Sequence, residues 1–196
     1  MTEGNRRDLS GDREPPAIVS ACLAGLATTH NGKAKPHARV MELVRQGRAI
    51  PVCPEQLGGL PTPRTEAEIV SGEGGEGIRF MKGDGESVLA GEARVVDAHG
   101  ADVTANFLRG AREALKVARL AGSTRAILKA RSPSCGKGCI HDGTFSATLK
   151  AGSGVTAALF EREGLEVLSE EDLDAEDLRG SSAPGDCSTT VRKSGA

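Results

Sequence analysis

Three short apolar runs, at 18–21, 49–52 and 126–128, frame the chain and predict buried β-strands. Each run is too short for a helix, and each is followed within a few residues by Gly or Pro, which ends regular structure. Two further strands are predicted at 93–97 and 165–168, where apolar and β-branched residues again cluster. The pattern therefore predicts several short strands well separated along the chain.

Between these runs the apolar residues recur with a helical period. Helices are predicted at 37–46, from 102 to Gly122, and at 153–164. The longest carries a stripe at i, i+4, i+7 and i+11, formed by Phe107, Ala111, Ala114 and Ala118. Alternation of strands with helices predicts an α/β fold, a single-domain Rossmann-like three-layer sandwich with a mostly parallel sheet.

The two ends of the chain lack a regular period. Residues 1–16 and 174–196 are polar and contain Gly with Pro or Ser, so we expect disordered tails on either side of a domain at 17–173.

The interior stretch 53–100 also lacks a clear period. It is rich in turn formers, above all in the Gly-rich part at 71–85, and is predicted to be largely irregular and to cover a site as a lid. Within it, the strand at 93–97 is expected to form a hairpin with residues 78–80.

Composition narrows the classes of function. A chain of 196 residues with 38% hydrophobic residues suits one domain. Its net charge of −2 and its lack of Trp and Tyr argue against a stable nucleic-acid complex. The polar N-terminus and the absence of an apolar run of about 18 residues predict a cytoplasmic protein without a membrane span. We expect a monomer or a weak homodimer.

The five cysteines carry the candidate chemistry. Cys22, Cys53 and Cys135 each follow a predicted strand, and parallel neighbouring strands would bring all three thiols to one edge of the sheet. A buried cysteine is often only a packing residue, so independent structural thiols are the first alternative. A zinc site that adds Cys139 and His141 is the second, although no C-x-x-C pair is present. An iron–sulfur cluster suits widely dispersed thiolates better.

Five segments occur in the same order as in a known family: 20–25, 51–64, 100–104, 131–136 and 142–146. Together they make the chain, over about 17–171, resemble the domain-of-unknown-function family 523, which includes the TudS thiouracil desulfidases.

The resemblance implies a [4Fe-4S] cluster held by Cys22, Cys53 and Cys135. It also implies that the fourth iron takes sulfur from thiolated uracil compounds, with 4-thiouridine monophosphate as a favoured small-molecule substrate. Cys139 and Cys187 match no ligand position of the family. A zinc- or thiol-dependent hydrolase, and a cluster-binding sensor or carrier without turnover, are the alternative functions.

Three residues near the proposed ligands are candidate catalytic groups. Glu55 follows Cys53 by two residues and, by the resemblance, handles protons. Ser132 and Ser134 flank Pro133 beside Cys135, where their hydroxyls either cap the turn or contact the substrate.

Four residues are candidate substrate ligands. Arg64 lies in a Pro-stiffened loop, and Lys129 and Arg131 lie between the central strand and Cys135; together they could clamp a phosphate or the uracil carbonyl. Asn31 is predicted first as a turn residue and second as a polar contact near Cys22.

Overall fold

The computed structural model describes residues 14–71 and 83–177 of the chain. In that part there are eight strands: β1 (Ala17–Ser20), β2 (Ala49–Val52), β3 (Ala67–Ser71), β4 (Ala93–Asp97), β5 (Arg125–Leu128), β6 (Cys139–His141), β7 (Leu149–Ala151) and β8 (Glu166–Ser169).

Six helices connect or follow these strands in the described ranges: α1 (Ala38–Arg45), α2 (Pro54–Leu57), α3 (Gly85–Ala90), α4 (Thr104–Leu120), α5 (Val155–Arg162) and α6 (Glu170–Asp177). None of them is long and apolar enough to cross a membrane.

A four-stranded sheet in the order β2-β1-β5-β8 forms the centre of the fold. All three pairings in it are parallel. The chain places β2 on one side of β1 and then returns to place β5 on the other, so the strand order reverses at β1. Ligands of open α/β sheets bind outside the carboxyl ends of the strands at such a point.

Alternate residues of β1 face two different hydrophobic cores. Ile18 belongs to the larger core, which contains the stripe of α4 and the apolar residues of α5. Val19 belongs to the smaller core, with Val40 of α1 and Leu173 of α6. Helices therefore cover both faces of the sheet, and the predicted single-domain three-layer α/β sandwich is confirmed.

The strand β4 pairs with a strand that the sequence did not predict. β4 pairs antiparallel along its whole length with β3, from Ala67↔Asp97 to Ser71↔Ala93. The expected partner, 78–80, lies outside the described residues. Glu68 and its neighbour Ile69 are both buried although they face opposite sides of β3, so the sequence lacks the apolar–polar alternation that would have predicted a strand.

Two other expectations need correction. The stretch 53–100 is not largely irregular where it is described, since α2, β3, α3 and β4 occupy much of it; most of the Gly-rich 71–85 lies outside the described residues. The expected disordered tail from 174 begins too early, because α6 continues to Asp177. Leu173 is 5% exposed and anchors α6 to the smaller core, which stabilises the helix against fraying.

Candidate active site

Three neighbouring strands each deliver one thiol to the same cavity. β2, β1 and β5 are adjacent in the sheet, and Cys53, Cys22 and Cys135 follow them in that order. All three cysteines have free thiols and line a cavity of about 320 Å³ at the carboxyl edge of the sheet. The predicted convergence of the three thiols is confirmed.

Burial dominates the electrostatics of these thiols. It raises the pKa of Cys22 to about 11, although the nearby Lys129 ammonium acts in the opposite direction. Burial also raises the pKa of Cys53 and that of Cys135, and a hydrogen bond from Ser20 opposes the rise at Cys135. Since burial raises the pKa of each thiol, the three thiols keep their protons at neutral pH. Binding of a metal centre would convert them to thiolates and release those protons.

The loop that carries Cys135 is fixed against the first turn of α5. The backbone amides of Gly154, Val155 and Thr156 donate to carbonyls of the loop at 2.8 to 2.9 Å. These are amides that a helix cannot satisfy internally. A Cβ at Gly154 would lie 2.5 Å from the carbonyl carbon of Ser134, so only glycine permits this approach. The position of the Cys135 thiol is thus set by backbone contacts.

The arrangement is too open for a single metal ion. Among the described residues, no group of three or more His, Cys, Asp or Glu side chains is close enough to hold one ion. His141 lies on the cavity wall, whereas Cys139 does not. The alternative zinc site, which took Cys135 and Cys139 with either Cys22 or Cys53 and with His141, is therefore not formed by the described residues. Thiols spaced around a shared cavity instead suit a larger polynuclear centre.

Glu55 and Arg64 form an ion pair on the cavity wall. Arg64 Nε donates to Glu55 Oε2 at 2.5 Å. The side chain of Arg64 is 5% exposed and that of Glu55 is 15% exposed. Arg64 Nη2 donates to the carbonyl of Thr28 at 3.0 Å, and Nη1 donates to Thr62 Oγ1 at 3.1 Å. The guanidinium thus fixes the carboxylate to two loops, and most of its donors are already in use.

The other two predicted cationic ligands also have carboxylate partners. Lys129 Nζ donates to Glu170, whose second oxygen accepts from the Ala130 amide at 2.7 Å. Arg131 Nη2 donates to Glu171 at 2.6 Å, and this pair is exposed. The structure brings both residues to the cavity wall, but neither presents an unpaired charge there.

The two predicted serines differ in position. Ser132 lies on the cavity wall, and its Oγ accepts from the amides of Ser134 and Cys135, both at 3.2 Å. Ser134 is 1% exposed and its hydroxyl pairs with Thr156 Oγ1 at 2.9 Å, away from the residues that line the cavity. A catalytic role for Ser134 therefore does not fit its position, which is that of a packing residue.

Asn31 serves the loop between β1 and α1. Its Oδ1 accepts from Thr29 Oγ1 at 2.8 Å and from the Lys33 amide at 3.2 Å, so the turn interpretation is confirmed. Asn31 also lines the cavity, which leaves its amide group within reach of a ligand.

Among the wall residues to which sequence reasoning assigned no role are Ser20 and Lys35. The Ser20 hydroxyl contacts the Cys135 thiol and accepts from the Lys129 amide at 2.9 Å, and its position at the end of a strand could have indicated this. His141, the last residue of the short strand β6, was considered only as a zinc ligand.

The ring of His141 faces a buried carboxylate. Its Nδ1 is buried without a hydrogen-bond partner in the described part of the chain and lies 3.9 Å from Glu68 Oε1. Glu68 Oε2 accepts from the amides of Gly143 and Phe145 at 2.9 and 3.0 Å. The segment 142–146 is therefore folded onto β3 through Glu68.

Fold and site together define an α/β protein with a three-thiol cavity at the switch point of a parallel sheet. A family model described as 2-thiouracil desulfurase matches residues 17–172, and the chain belongs to that family.

Two known proteins are similar to the chain over most of its length. The uncharacterised protein YbbK of Bacillus subtilis is 42% identical over 156 residues, covering 80% of this chain and 96% of the relative. A solved structure described as the [4Fe-4S]-dependent thiouracil desulfidase TudS is 40% identical, with a TM-score of 0.67, covering 85% of this chain and 97% of that one.

Proposed function

We propose that this protein is a [4Fe-4S]-dependent desulfidase that removes sulfur from thiolated uracil compounds, with Cys22, Cys53 and Cys135 as the cluster ligands. The observation that carries the proposal is the delivery of three free thiols by adjacent parallel strands to one cavity. The family match and the desulfidase described for the similar solved structure support it.

The donor set fits such a cluster. Three thiols line one cavity, the described residues form no single-ion site, and thiolate sulfur is the ligand that iron–sulfur clusters use. When bound through three thiolates, the cluster supplies one iron with an open position for the sulfur of the substrate. The raised pKa of each thiol implies that loading the site releases protons to solvent.

The chain's own residues handle the protons of the reaction. Replacement of a thiocarbonyl sulfur by the oxygen of water needs no electron donor: one water enters, and hydrogen sulfide leaves. Glu55 lies on the wall beside Cys53, where its carboxylate accepts a proton from the attacking water and returns one to the departing sulfur. Arg64 holds one carboxylate oxygen, Oε2, and so orients Glu55 toward the cavity.

The proposed substrate is 4-thiouridine monophosphate. The cavity of about 320 Å³ is at the small end of the range for ligand sites, and the cluster would occupy the part next to the three thiols, so the sugar of a nucleotide would extend past the rim. The side-chain NH2 group of Asn31, whose Oδ1 is used within the loop, is placed to donate to a ribose hydroxyl.

The proposal is tested by anaerobic reconstitution of the wild-type chain with iron and sulfide, followed by steady-state assay with 4-thiouridine monophosphate, 4-thiouridine and 2-thiouracil. Loss of the thiocarbonyl absorbance with release of one sulfide per product is the expected result. A fully loaded protein that binds these compounds without converting any of them would instead be a sensor or carrier.

A further inference from the structure

The cations on the cavity wall differ in whether they have a partner. Besides His30 and His141, the wall contains Arg64, Lys129, Arg131 and Lys35. The first three pair with Glu55, Glu170 and Glu171. For Lys35 the described residues provide no salt bridge and no side-chain hydrogen bond, and its side chain is exposed.

The segment that carries Lys35 is held at both ends. The Lys35 amide donates to the carbonyl of Cys22 at 3.0 Å, which ties the lysine backbone to the turn of a strand-end thiol. Upstream, the Lys33 amide donates to Thr29 Oγ1 at 3.0 Å, and the Arg64 amide donates to the His30 carbonyl at 2.8 Å. The backbone of Lys35 is therefore fixed on the rim, whereas its long side chain is free to follow a ligand.

An anionic ligand has little reason to prefer the paired cations. Arg64 is 5% exposed and its guanidinium already serves Glu55 and the Thr28 carbonyl, so an anion would have to displace buried partners. Removing one member of a buried pair leaves an uncompensated charge, which is strongly unfavourable. Arg131 would have to exchange Glu171, its exposed partner, for the anion, whereas Lys35 has no partner among the described residues to displace. Glu66, an exposed carboxylate on the same wall, repels an anion from its own side.

We propose that Lys35 binds the anionic group of the substrate, of the phosphate monoester class, at the rim of the cavity. The inference rests on the proposed function and makes it more specific: the enzyme prefers a nucleotide to a nucleoside or free base, and Lys35 sets that preference. A lysine ammonium acts here as a mobile point charge with three donors. In this proposal Lys35 takes the part in phosphate binding that the sequence suggested for Arg64, Lys129 and Arg131.

Lys35→Met tests the proposal, with Lys33→Met as the matched control. Lys33 is an exposed lysine of the same loop that does not line the cavity. For 4-thiouridine monophosphate we expect Lys35→Met to raise KM about 10-fold with kcat nearly unchanged, the effect of one charge-assisted contact. Kinetics with 4-thiouridine should be unaffected, Lys33→Met should resemble wild type on both, and Lys35→Arg should retain most of the nucleotide preference.

A binding measurement separates this inference from the proposed function. Calorimetry of the cluster-loaded protein with uridine monophosphate and with uridine needs no turnover, and should show a loss of about 10-fold in affinity for the nucleotide alone in Lys35→Met. If the wild type binds uridine monophosphate, Lys35→Met loses that affinity, and no thiolated compound is converted, then the proposed function fails but the role of Lys35 in nucleotide binding is retained. Equal losses for nucleotide and nucleoside, a matching loss in Lys33→Met, or no nucleotide binding by wild type would overturn the role of Lys35. Inorganic phosphate, titrated separately, should compete with the nucleotide only weakly.

Discussion

The inner wall of the cavity and its rim use charge in different ways. On the inner wall, Arg64 and Glu55 form a nearly buried pair, tied to the loops around Thr28 and Thr62. On the rim, Lys35 lies exposed on a well-anchored loop with no partner in the described part of the chain. A cation that lines a cavity is therefore not always free to bind a substrate. In our proposal the inner pair positions the catalytic carboxylate of Glu55, whereas the unpaired charge of Lys35 binds the anionic group of the substrate.

The largest effect is expected at the thiols. Cys53→Ser and Cys135→Ser should lose the [4Fe-4S] cluster almost completely, because each removes one of only three thiolate ligands. Iron and acid-labile sulfide per chain, measured after anaerobic reconstitution, provide the readout. Cys139→Ser serves as the control and should keep the cluster, since Cys139 does not line the cavity. Loss of cluster in the Cys139 variant with retention in the Cys53 variant would refute the ligand assignment.

The next effect is expected at the acid–base group of the inner wall. Glu55→Gln should keep the cluster but lower kcat by about 10²–10⁴-fold, the usual contribution of a general acid–base residue. Glutamine retains an oxygen that can accept from Arg64 Nε, so the pair's geometry survives. The assay is single-turnover desulfuration at full iron loading. Unchanged turnover in this variant would remove Glu55 from the reaction.

Arg64 should act through Glu55. We expect Arg64→Met to lower kcat by up to about 10²-fold, as misplacement of a catalytic group does, with a smaller change in KM. Arg64→Lys should recover part of the activity because it restores a donor near Glu55. The double variant Glu55→Gln/Arg64→Met should be little worse than Glu55→Gln alone, since residues that act as a unit are not additive. A selective rise in KM for the nucleotide would instead return Arg64 to the phosphate site.

The smallest effect on activity is expected at Ser134. Its hydroxyl is buried against Thr156, so Ser134→Ala leaves an unsatisfied partner and should destabilise the fold by about 1–3 kcal/mol. Turnover below the unfolding temperature should remain close to wild type. Denaturant unfolding measures the first quantity, and addition of Thr156→Val should restore part of the stability. A large loss of turnover in a folded Ser134→Ala protein would show that the hydroxyl reaches the substrate.

Much of the fold and the thiol site could be predicted from local patterns. The strands before the three cysteines have compact apolar runs, and α4 carries a stripe of buried residues at helical spacing. Whether a residue follows a strand can be predicted locally. Because parallel strands have their carboxyl ends at one edge of the sheet, residues that follow neighbouring strands are expected to lie close together. The convergence of Cys22, Cys53 and Cys135 followed from these patterns.

The partners of the charged residues could not be predicted in this way. Arg64 and the Thr28 carbonyl are 36 positions apart, and Lys129 and Glu170 are 41 positions apart. Such contacts depend on how the elements pack, and no periodicity encodes them. The strand β3 was missed for a related reason, because its buried Glu68 is satisfied by amides of a distant loop. Packing between distant elements also places Ser134 outside the cavity and Lys35 at its rim.

Whether the three-thiol cavity is a [4Fe-4S] desulfidase site is measured most directly by how the rate of turnover depends on cluster loading. Wild-type protein is reconstituted anaerobically to a series of iron contents and assayed with 4-thiouridine monophosphate, with apo and zinc-loaded protein alongside. We expect the rate to rise in proportion to the fraction of chains carrying four irons and to be absent in the apo and zinc-loaded samples. Equal turnover by apo or zinc-loaded protein would contradict the account and favour a thiol- or zinc-dependent hydrolase.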